Sequence, residues 1–386
     1  MARLGKILEK EEWGSVVLDP KSPMVRTPPR PAMRQQQGYT ETFDFTTLFY
    51  DTFLMPSGRQ ILLVGPLLLN LSGAVEEGEA IVADCAGLCA VTGYQLTHKK
   101  KVSVLTIDLE RQVETAWLKL DFGVLGRFEQ AVGENLNDLF KGKRAAFTLF
   151  KYEPLAWLVD WAEFNVRYHG VNSLLVQHNN SPDFSTQVIY DALNGVDGIE
   201  TLVVGHWPYR YGPAAGGGFG WDSDFCQMGF FEMARQRFLG DAEGVLNTDI
   251  DELVITNDHR SVFEYFEESP TGFLRFGGVY ISGKVGRNVG KDFSERRHRH
   301  YCFFDPCGDN NFCTKWAVKP GGHVNDHQWR IHGIEGLKTP QHIAEQITLC
   351  HFKDINMLWK HESIKELDTP VVHKGLSEAF RRVGWR

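Results

Sequence analysis

The spacing of hydrophobic residues changes near residue 145, and this change separates two kinds of predicted structure. Between residues 41 and 142, short apolar or β-branched runs are divided by turn residues, and residues 115–122 alternate apolar with polar side chains. Alternation with a period of two is typical of half-buried strands, and regularly spaced short strands favour a β-sandwich-like module. We interpret the aromatic residues of this module as core, with a sugar-binding platform as the alternative.

From residue 143 to residue 386, apolar runs alternate with stretches of helical spacing. The runs that predict strands are residues 146–150, 173–176, 201–204 and 245–246. A helix is predicted between the first two runs, where four aromatic residues share one face: Trp157, Trp161, Phe164 and Tyr168. Alternating strands and helices predict an α/β domain with a parallel, doubly wound sheet, and such sheets bind ligands beyond the carboxyl ends of their strands.

The first 40 residues have the composition of an arm or linker. They contain five prolines followed by Gln35, Gln36, Gln37 and Gly38, a composition that resists regular structure. The predicted organisation is therefore an extended arm (1–40), a β-rich module (41–142) and an α/β domain (143–386). A chain of 386 residues is long enough for two domains that each bury a core.

Composition narrows the class of protein. Hydrophobic residues make up 42% of the chain and charged residues 23%, as in ordinary globular proteins. A net charge of −8 argues against a nucleic-acid-binding surface. No apolar run approaches the roughly 18 residues of a membrane span, and the first residues lack the apolar stretch of a secretory signal. With seven cysteines and no export signal, we expect free thiols and a cytoplasmic location, with peripheral membrane association left open.

Two aspartates separated by one residue follow the last apolar run of the predicted sheet. Asp249 and Asp251 would lie at the carboxyl end of a buried strand, and on an extended backbone alternate side chains point to the same side. Two carboxylates at that edge suit Mg²⁺ or Mn²⁺ carrying a diphosphate. Glu252 follows at once, either orienting the metal ligands or capping the next segment.

Polar residues also follow the first two predicted strands. Lys151, Tyr152 and Glu153 come after the first strand, and residues 179–183 (Asn-Asn-Ser-Pro-Asp) come after the second. Because the ends of parallel strands meet at one edge, these residues are candidate ligand contacts, and the alternative is an Asx-type turn that binds nothing.

The order of these motifs resembles that of glycosyltransferase family 92 and related bacterial GT-A transferases. The motifs are Lys151–Glu153, the helix with Trp161, Gly170–Val171, residues 179–183 and Asp249–Glu252, and the similarity covers roughly residues 145–360. The chain departs from the family pattern at four positions: Tyr152 stands where Asn is usual, Asp160 where Glu is usual, His178 where Asp is usual, and Leu253 where an aromatic residue is usual.

The resemblance implies a GT-A fold, Rossmann-like with a mostly parallel sheet, and a metal-dependent glycosyltransferase of the hexosyltransferase type. Such an enzyme would use Mn²⁺ or Mg²⁺ to move a sugar from a nucleotide-sugar donor (a UDP- or GDP-sugar) to a hydroxyl of a glycan or lipid-linked acceptor, with inversion, in polysaccharide biosynthesis. The donor-binding residues it implies are Lys151, Glu153, Asn179, Asn180, Asp183, Asp249 and Arg296. Asp251 would be the firmer metal ligand, and Asp249 would stand near the ribose and the metal.

Enzymes of this kind often complete the metal shell with a late histidine. The candidates are His327 and His351. An inverting transfer also needs a base for the acceptor's proton, and four acids lie in the right part of the chain: Asp292, Glu295, Asp305 and Asp326. We select Asp292 and Asp326, and the alternative for each is a solvated loop acid.

Three further features are open to two interpretations. Residues 296–300 (Arg-Arg-His-Arg-His) could grip a pyrophosphate or form an exposed basic turn. The glycine-rich segment 212–221, with Phe219 and Trp221, could close over a sugar or simply connect two elements. The remaining set has near-zinc-ligand spacing but no Cys-x₂-Cys pair: His298, His300, Cys302, Cys307 and Cys313.

Two other classes of protein remain as alternatives. A metal-dependent nucleotidyltransferase would also use an Asp-x-Asp pair, but it should carry a glycine-rich phosphate loop after the first strand, and residues 151–154 are not one. A non-catalytic carbohydrate-binding protein could keep the same scaffold without turnover.

Overall fold

The computed structural model describes residues 4–216, 222–282, 295–306, 314–355 and 370–385. The chain divides into two compact units. Unit 1 draws on segments 1–7, 139–207 and 241–386, and unit 2 on segments 8–138 and 208–240. No helix in the described ranges is long and apolar enough to cross a membrane.

The elements up to residue 142 are mostly short strands. The strands are β1 (Leu4–Leu8), β2 (Val16–Val17), β3 (Thr47–Phe49), β4 (Asp51–Leu54), β5 (Gln60–Pro66), β6 (Glu79–Asp84), β7 (Gly87–Cys89), β8 (Val91–Lys99), β9 (Val102–Leu109), β10 (Trp117–Asp121) and β11 (Arg127–Ala131). The helices are α1 (Tyr39–Thr42), α2 (Ser72–Glu76) and α3 (Asn137–Phe140).

The rest of the chain mixes strands with longer helices. The strands are β12 (Arg144–Phe150), β13 (Ser173–His178), β14 (Thr201–His206), β15 (Gly244–Asn247), β16 (Glu252–Thr256), β17 (Phe273–Phe276), β18 (Gly278–Ile281), β19 (Phe303–Phe304), β20 (Lys315–Val318), β21 (Trp329–Arg330), β22 (Gly333–Ile334), β23 (Ile347–Phe352) and β24 (Val371–Val372). The helices are α4 (Leu155–His169), α5 (Thr186–Asn194), α6 (Phe225–Met233), α7 (Gln341–Ala344) and α8 (Lys374–Arg382).

Unit 1 is built on a seven-stranded sheet with the order β1-β14-β13-β12-β15-β20-β17. Strands β12, β13, β14 and β15 are parallel, whereas β20 runs antiparallel to both of its neighbours. The chain winds outward from β12 to β14 and then returns to the other side of β12 as β15. The winding therefore reverses between β12 and β15, and an open α/β sheet binds its ligands at such a point. The α/β class and the parallel strands are as the sequence predicts.

Helix α4 covers one face of this sheet. It begins after Pro154 and ends at Gly170, whose φ of +70° is a left-handed conformation that favours glycine. Its aromatic face, including the fully buried Trp157 and Trp161, enters the core that the sheet and β16 also line. The four aromatic residues predicted to share one helix face therefore form the side of α4 that faces the core.

Strands β16, β18 and β23 form a second sheet of unit 1, and it sets the position of the site described below. Glu252, the first residue of β16, is directly opposite His351 of the antiparallel β23. Because residues opposite each other on neighbouring strands point to the same face, the glutamate and the histidine lie side by side.

Unit 2 contains two four-stranded antiparallel sheets, β4-β5-β9-β8 and β11-β10-β6-β7. Both sheets contribute to one hydrophobic core, for example through Leu63 and Leu105 from the first and Val82 and Leu118 from the second. The unit also contains α6 from segment 208–240.

The two units differ from the boundaries that the sequence predicts at residues 40 and 142. Segment 208–240 clusters with the N-terminal strands instead of the α/β domain, and residues 1–7 cluster with the α/β unit. The predicted arm also has fixed partners: β1 is an edge strand of the large sheet, and the buried guanidinium of Arg26 donates to the carbonyls of Asp44, Thr47 and Leu67. Proline-rich composition removes backbone donors, but it does not reveal such long-range contacts.

His169, at the end of α4, predicts a pH dependence of stability. The ring is buried, its Nε2–H donates to the carbonyl of Val254 (2.9 Å), and its Nδ1 accepts from the backbone N–H of Val262 (3.1 Å). Burial lowers the pKa of His169 from 6.5 to about 4, although the hydrogen bond to the Val254 carbonyl opposes the shift. The unfolded chain therefore binds a proton in this window that the folded chain does not, and stability falls as the pH falls through it.

We expect the free energy of unfolding to decrease by roughly 3 kcal/mol between pH 6.5 and pH 4 on account of this residue, at 1.36 kcal/mol per pH unit. Denaturant titrations across this range measure the effect. His169→Gln carries an amide that does not titrate here, so its profile should be flatter by that amount. The pKa of His178 is lowered to the same range, so the variant should keep the part of the pH dependence that His178 contributes. An unchanged slope in His169→Gln would contradict the assignment.

Candidate functional site

The acidic motif lies on a turn between two strands. Strand β15 ends at Asn247, and β16 begins at Glu252. The backbone N–H of Glu252 donates to the carbonyl of Asp249 (3.1 Å), while Glu252 Oε2 accepts from the backbone N–H of Asp249 (2.9 Å). The extended backbone predicted from the sequence is thus replaced by a turn, and the two aspartates take different partners.

The turn places each of the two aspartates beside a basic residue, and these basic residues lie on different strands. Asp249 Oδ2 lies 2.8 Å from Lys315 Nζ, at the start of β20. Asp251 Oδ2 lies 3.2 Å from His351 Nε2, on β23. Glu252 lies between them, with Oε2 3.5 Å from Lys315 Nζ and Oε1 3.7 Å from His351 Nδ1. Three carboxylates, one ammonium and one imidazole therefore share this edge of the unit.

Asp251, Glu252 and His351 form a compact donor set, which we call the carboxylate–histidine cluster. Each offers one ligand atom, and these atoms lie within 4.8 Å of one another. The Asp251 and His351 side chains are 28% and 26% exposed, whereas Glu252 is 2% exposed, so the cluster has a buried base and an open side. Two carboxylates and an imidazole are donors that divalent cations accept in proteins, and Asp251 and His351 are partly exposed to solvent.

Electrostatics of the cluster follow from burial and charge. Burial, reinforced by Asp249 and Asp251, raises the pKa of Glu252 to about 7 although Lys315 and His351 oppose the shift. Burial also disfavours the charged form of His351, but the carboxylates of Asp251, Glu252 and Asp249 outweigh it and raise its pKa. The buried ammonium of Lys315 is likewise held charged, because Asp249 and Glu252 more than offset the cost of its burial and raise its pKa. Three carboxylates thus surround two basic groups and keep the pKa values of both His351 and Lys315 above their ordinary values.

The structure groups a set of candidate metal ligands that differs in part from the one predicted from the sequence. It brings Asp251 and His351 together, and it adds Glu252, whose pairing with His351 across β16 and β23 leaves no local signal in the sequence. Asp249 is instead drawn to Lys315, and its carboxylate lies outside the cluster. His327 also lies outside it, at the end of the short helical turn Gly322–Asp326.

The polar residues after β12 and β13 lie at the predicted edge of the sheet. Glu153 accepts a hydrogen bond from the backbone N–H of Lys151, and the buried Asn179 donates through Nδ2 to the carbonyl of Trp207 (2.7 Å). Asn180, with a φ of +53°, accepts from His206 Nε2 (3.0 Å), and Asp183 is exposed. Glu153 and Asn179 thus shape the strand ends, as the turn alternative requires, while Asp183 faces solvent.

A pair of stacked histidines ends β13 and β14, and no motif in the sequence predicts that they meet. The rings of His178 and His206 are 4.6 Å apart between centroids and nearly parallel, at 11°. They are brought together because the two residues are neighbours in the parallel register of these strands. Burial, together with the charge that His206 can carry, lowers the pKa of His178 to about 4, so this ring is neutral at physiological pH.

Much of the basic run at residues 296–300 is used within the fold. Both oxygens of the buried Asp160 accept hydrogen bonds from the guanidinium of Arg297, and His298 Nε2 donates to the carbonyl of Ile250 (2.8 Å). Burial disfavours the carboxylate of Asp160, but Arg297 and His298 outweigh it and lower its pKa to about 2. Arg296 donates from Nη1 to the carbonyl of Asp354 (3.0 Å). Arg296, Arg297 and His298 thus have partners within the fold, while Arg299 and His300 are exposed, and binding of a pyrophosphate by the run stays a prediction.

Several other predicted residues are placed only in part. Asp292, one of the two predicted bases, and Phe219, Trp221, Cys307 and Cys313 lie outside the described residues. Asp326, the other predicted base, is exposed at the end of its helical turn. Both ring nitrogens of His298 lie next to groups of the fold, Nε2 against the carbonyl of Ile250 (2.8 Å) and Nδ1 3.5 Å from Asp160 Oδ2, which weakens the zinc alternative. In the described ranges, the three side chains that together could hold a metal ion are those of the carboxylate–histidine cluster.

Comparisons with known proteins assign no family. No family model matches the chain, and no curated protein matches it. One solved structure, titled "Structure of PhoD", is similar to 47% of this chain and 43% of its own, at 12% sequence identity and a TM-score of 0.15. The chain therefore spans less than half of that protein, and a TM-score this low supports no argument about fold or function.

Proposed function

We propose that this protein is a metal-dependent glycosyltransferase of the GT-A type, which moves a sugar from a nucleotide-diphosphate sugar to a hydroxyl acceptor. The observation that carries the proposal is the carboxylate–histidine cluster of Asp251, Glu252 and His351, open on one side. The turn that bears it directly follows β15, one of the two strands between which the winding of the sheet reverses.

The position of the cluster supports a nucleotide ligand. In open α/β sheets the ligand crevice lies beyond the carboxyl ends of the strands at the reversal point, here β12 and β15. Residues 151–153 follow β12, and the acidic turn follows β15. The strand end that resembles one of the family's donor-binding motifs therefore lies on the same edge of the sheet as the acidic turn.

The donor set favours Mn²⁺ over Mg²⁺. Mg²⁺ prefers oxygen ligands alone, whereas an imidazole nitrogen suits transition metals. A bound divalent cation would offset the negative charge that develops on the departing nucleoside diphosphate. Asp251 and His351 would hold the ion on the open side, with Glu252 at the buried base.

Asp249 has a separate part in this proposal. Lys315 fixes one oxygen of Asp249, yet the side chain remains 34% exposed. It can therefore still accept hydrogen bonds from a hydroxyl of the nucleotide sugar. The lysine also limits the negative charge that the turn presents to an incoming diphosphate. A fixed acceptor beside a metal site is suited to orienting the sugar nucleotide.

A thermal-shift screen of nucleoside diphosphates with and without Mn²⁺ tests the proposal. We expect one base to raise the melting temperature only when Mn²⁺ is present. A ligand at about 100 times its dissociation constant stabilises the folded state by roughly 2.7 kcal/mol, which such a screen detects. No response to Mn²⁺ with any nucleotide would contradict a metal-dependent transferase.

Turnover separates the transferase from its two rivals. With the nucleotide sugar of the selected base, we expect Mn²⁺-dependent release of the nucleoside diphosphate, slowly to water and faster with an acceptor. Binding without release would indicate a carbohydrate-binding protein. Release of pyrophosphate from a nucleoside triphosphate and a sugar phosphate would indicate a nucleotidyltransferase.

A further inference from the structure

His298 lies behind the candidate metal site and contacts both segments that carry it. Its ring is fully buried, and Nε2–H donates to the carbonyl of Ile250 (2.8 Å), the residue between Asp249 and Asp251. The edge of the ring packs on Phe352, with centroids 5.0 Å apart and planes at 74°, and Phe352 follows His351. A single side chain therefore touches the acidic turn and the strand of the histidine ligand.

Asp160 of α4 lies on the opposite side of this imidazole from Ile250, next to Nδ1. Its Oδ2 accepts from the backbone N–H of His298 (3.3 Å) and lies 3.5 Å from His298 Nδ1. The carboxylate is 1% exposed and is also held by Arg297, so its own position is determined on two sides. The imidazole is thus aligned between a carboxylate and a backbone carbonyl.

The same face of α4 holds the surrounding backbone. Trp157 donates from Nε1 to the carbonyl of Arg296 (2.8 Å), and Trp161 donates from Nε1 to Thr248 Oγ1 (2.9 Å) at the start of the acidic turn. Positions 157, 160 and 161 are spaced three and four residues apart and therefore share one helix face. The helix fixes the basic segment and the turn relative to each other.

We propose that His298, oriented by Asp160, is a positioning residue for the carboxylate–histidine cluster. The proposal rests on the metal site of the proposed function and adds a residue that touches no ligand itself. By holding the carbonyl of Ile250 and the ring of Phe352, His298 keeps Asp251 and His351 at the separation that a single ion requires. Residues that orient metal ligands from behind typically change metal affinity by 10–100-fold when they are replaced.

Mn²⁺ binding by the full chain, followed by electron paramagnetic resonance without any nucleotide, tests the proposal. His298→Phe keeps a ring against Phe352 but removes the donor to Ile250, and we expect Mn²⁺ affinity about 10–100-fold weaker. His298→Gln can still donate to that carbonyl and should lie between the native protein and the phenylalanine variant. Asp160→Asn, which keeps the shape of the side chain, should also weaken binding.

His169→Phe is the matched control. His169 is equally buried and donates to a carbonyl of β16, that of Val254, but it contacts neither the acidic turn nor Phe352 in the interactions described. We expect it to lower thermal stability while Mn²⁺ affinity stays within about twofold of the native value, well inside the 10–100-fold effect expected for a positioning residue. Melting temperatures of all variants show whether each one folds.

The outcomes are distinguishable. If the native protein binds Mn²⁺ and His298→Phe binds it equally well, the positioning role is overturned and the proposed function stands. If His169→Phe weakens Mn²⁺ binding as much as His298→Phe does, the effect is a general loss of stability, and the positioning role is again overturned. If the native protein binds no Mn²⁺, the metal site and the positioning role both fail.

Discussion

Asp251→Asn is expected to abolish detectable Mn²⁺ binding and Mn²⁺-dependent turnover, while Asp249→Asn leaves most of the binding intact. Asp251 belongs to the carboxylate–histidine cluster, whereas Asp249 is paired with Lys315 outside it. Loss of a group that touches the ion must cost more than loss of one that only orients such a group, so we expect a decrease beyond about 100-fold. Titration calorimetry with Mn²⁺ measures the affinity of both variants.

The two asparagine variants form a matched pair, because each removes one negative charge from the same turn. A general effect of net charge on cation binding would weaken both equally. Equal losses would also be the result if Asp249 and Asp251 held the metal together, as the sequence motif predicts. That outcome would overturn the ligand set that the structure supports. Turnover of Asp249→Asn is expected to show a raised KM for the nucleotide sugar, in keeping with contact to the donor.

Lys315→Met is expected to lower the free energy of unfolding by roughly 3–5 kcal/mol at pH 8, as is typical when one partner of a buried ion pair is removed. The ammonium is 1% exposed and lies within 3.5 Å of both Asp249 and Glu252. Without it, two carboxylates face each other at a site where burial already raises the pKa of Glu252 to about 7. Chemical denaturation at several pH values measures the loss.

Two further measurements identify the cause of that loss. At pH 6 the loss should shrink, because protonation of Glu252 removes one of the repelling charges. Added Mn²⁺ should stabilise Lys315→Met more than it stabilises the native protein, since a cation would offset the same carboxylates. Lys319→Met is the control: its ion pair with Glu267 is exposed and should be worth less than about 1 kcal/mol. A loss in Lys315→Met that is independent of pH and Mn²⁺ would indicate a packing defect instead.

The sequence predicts local features of this protein well. Periodicity in residues 146–204 marks three parallel strands and the core face of α4, because burial on a sheet or helix imposes a regular spacing of apolar residues. The same logic places the acidic motif at the end of β15. What it misses is the turn at Thr248–Asp251, since an alternating Asp-Ile-Asp run is compatible with a strand as well as a turn.

Partners that are distant in sequence decide the rest of the site. Glu252 belongs to the cluster because it is paired in strand register with His351, 99 positions later. Asp249 forms an ion pair with a lysine on β20. Asp160 likewise meets Arg297 and His298 across the fold. A single sequence carries no record of which distant charges pair. The division into units is hidden for the same reason, because segment 208–240 packs with residues that precede it by about 100 positions or more.

The edge strand β1 has a consequence for handling the protein. It pairs along β14, whose residues Thr201–Val204 are all buried, and it brings Lys6 to the outer margin of the sheet. Open backbone groups on an apolar strand recruit strands from other molecules, and a charged residue on a short outer strand discourages this. A chain shortened past residue 8 would expose the edge of β14 to other molecules of the protein. We therefore expect self-association and poor solubility after such a truncation.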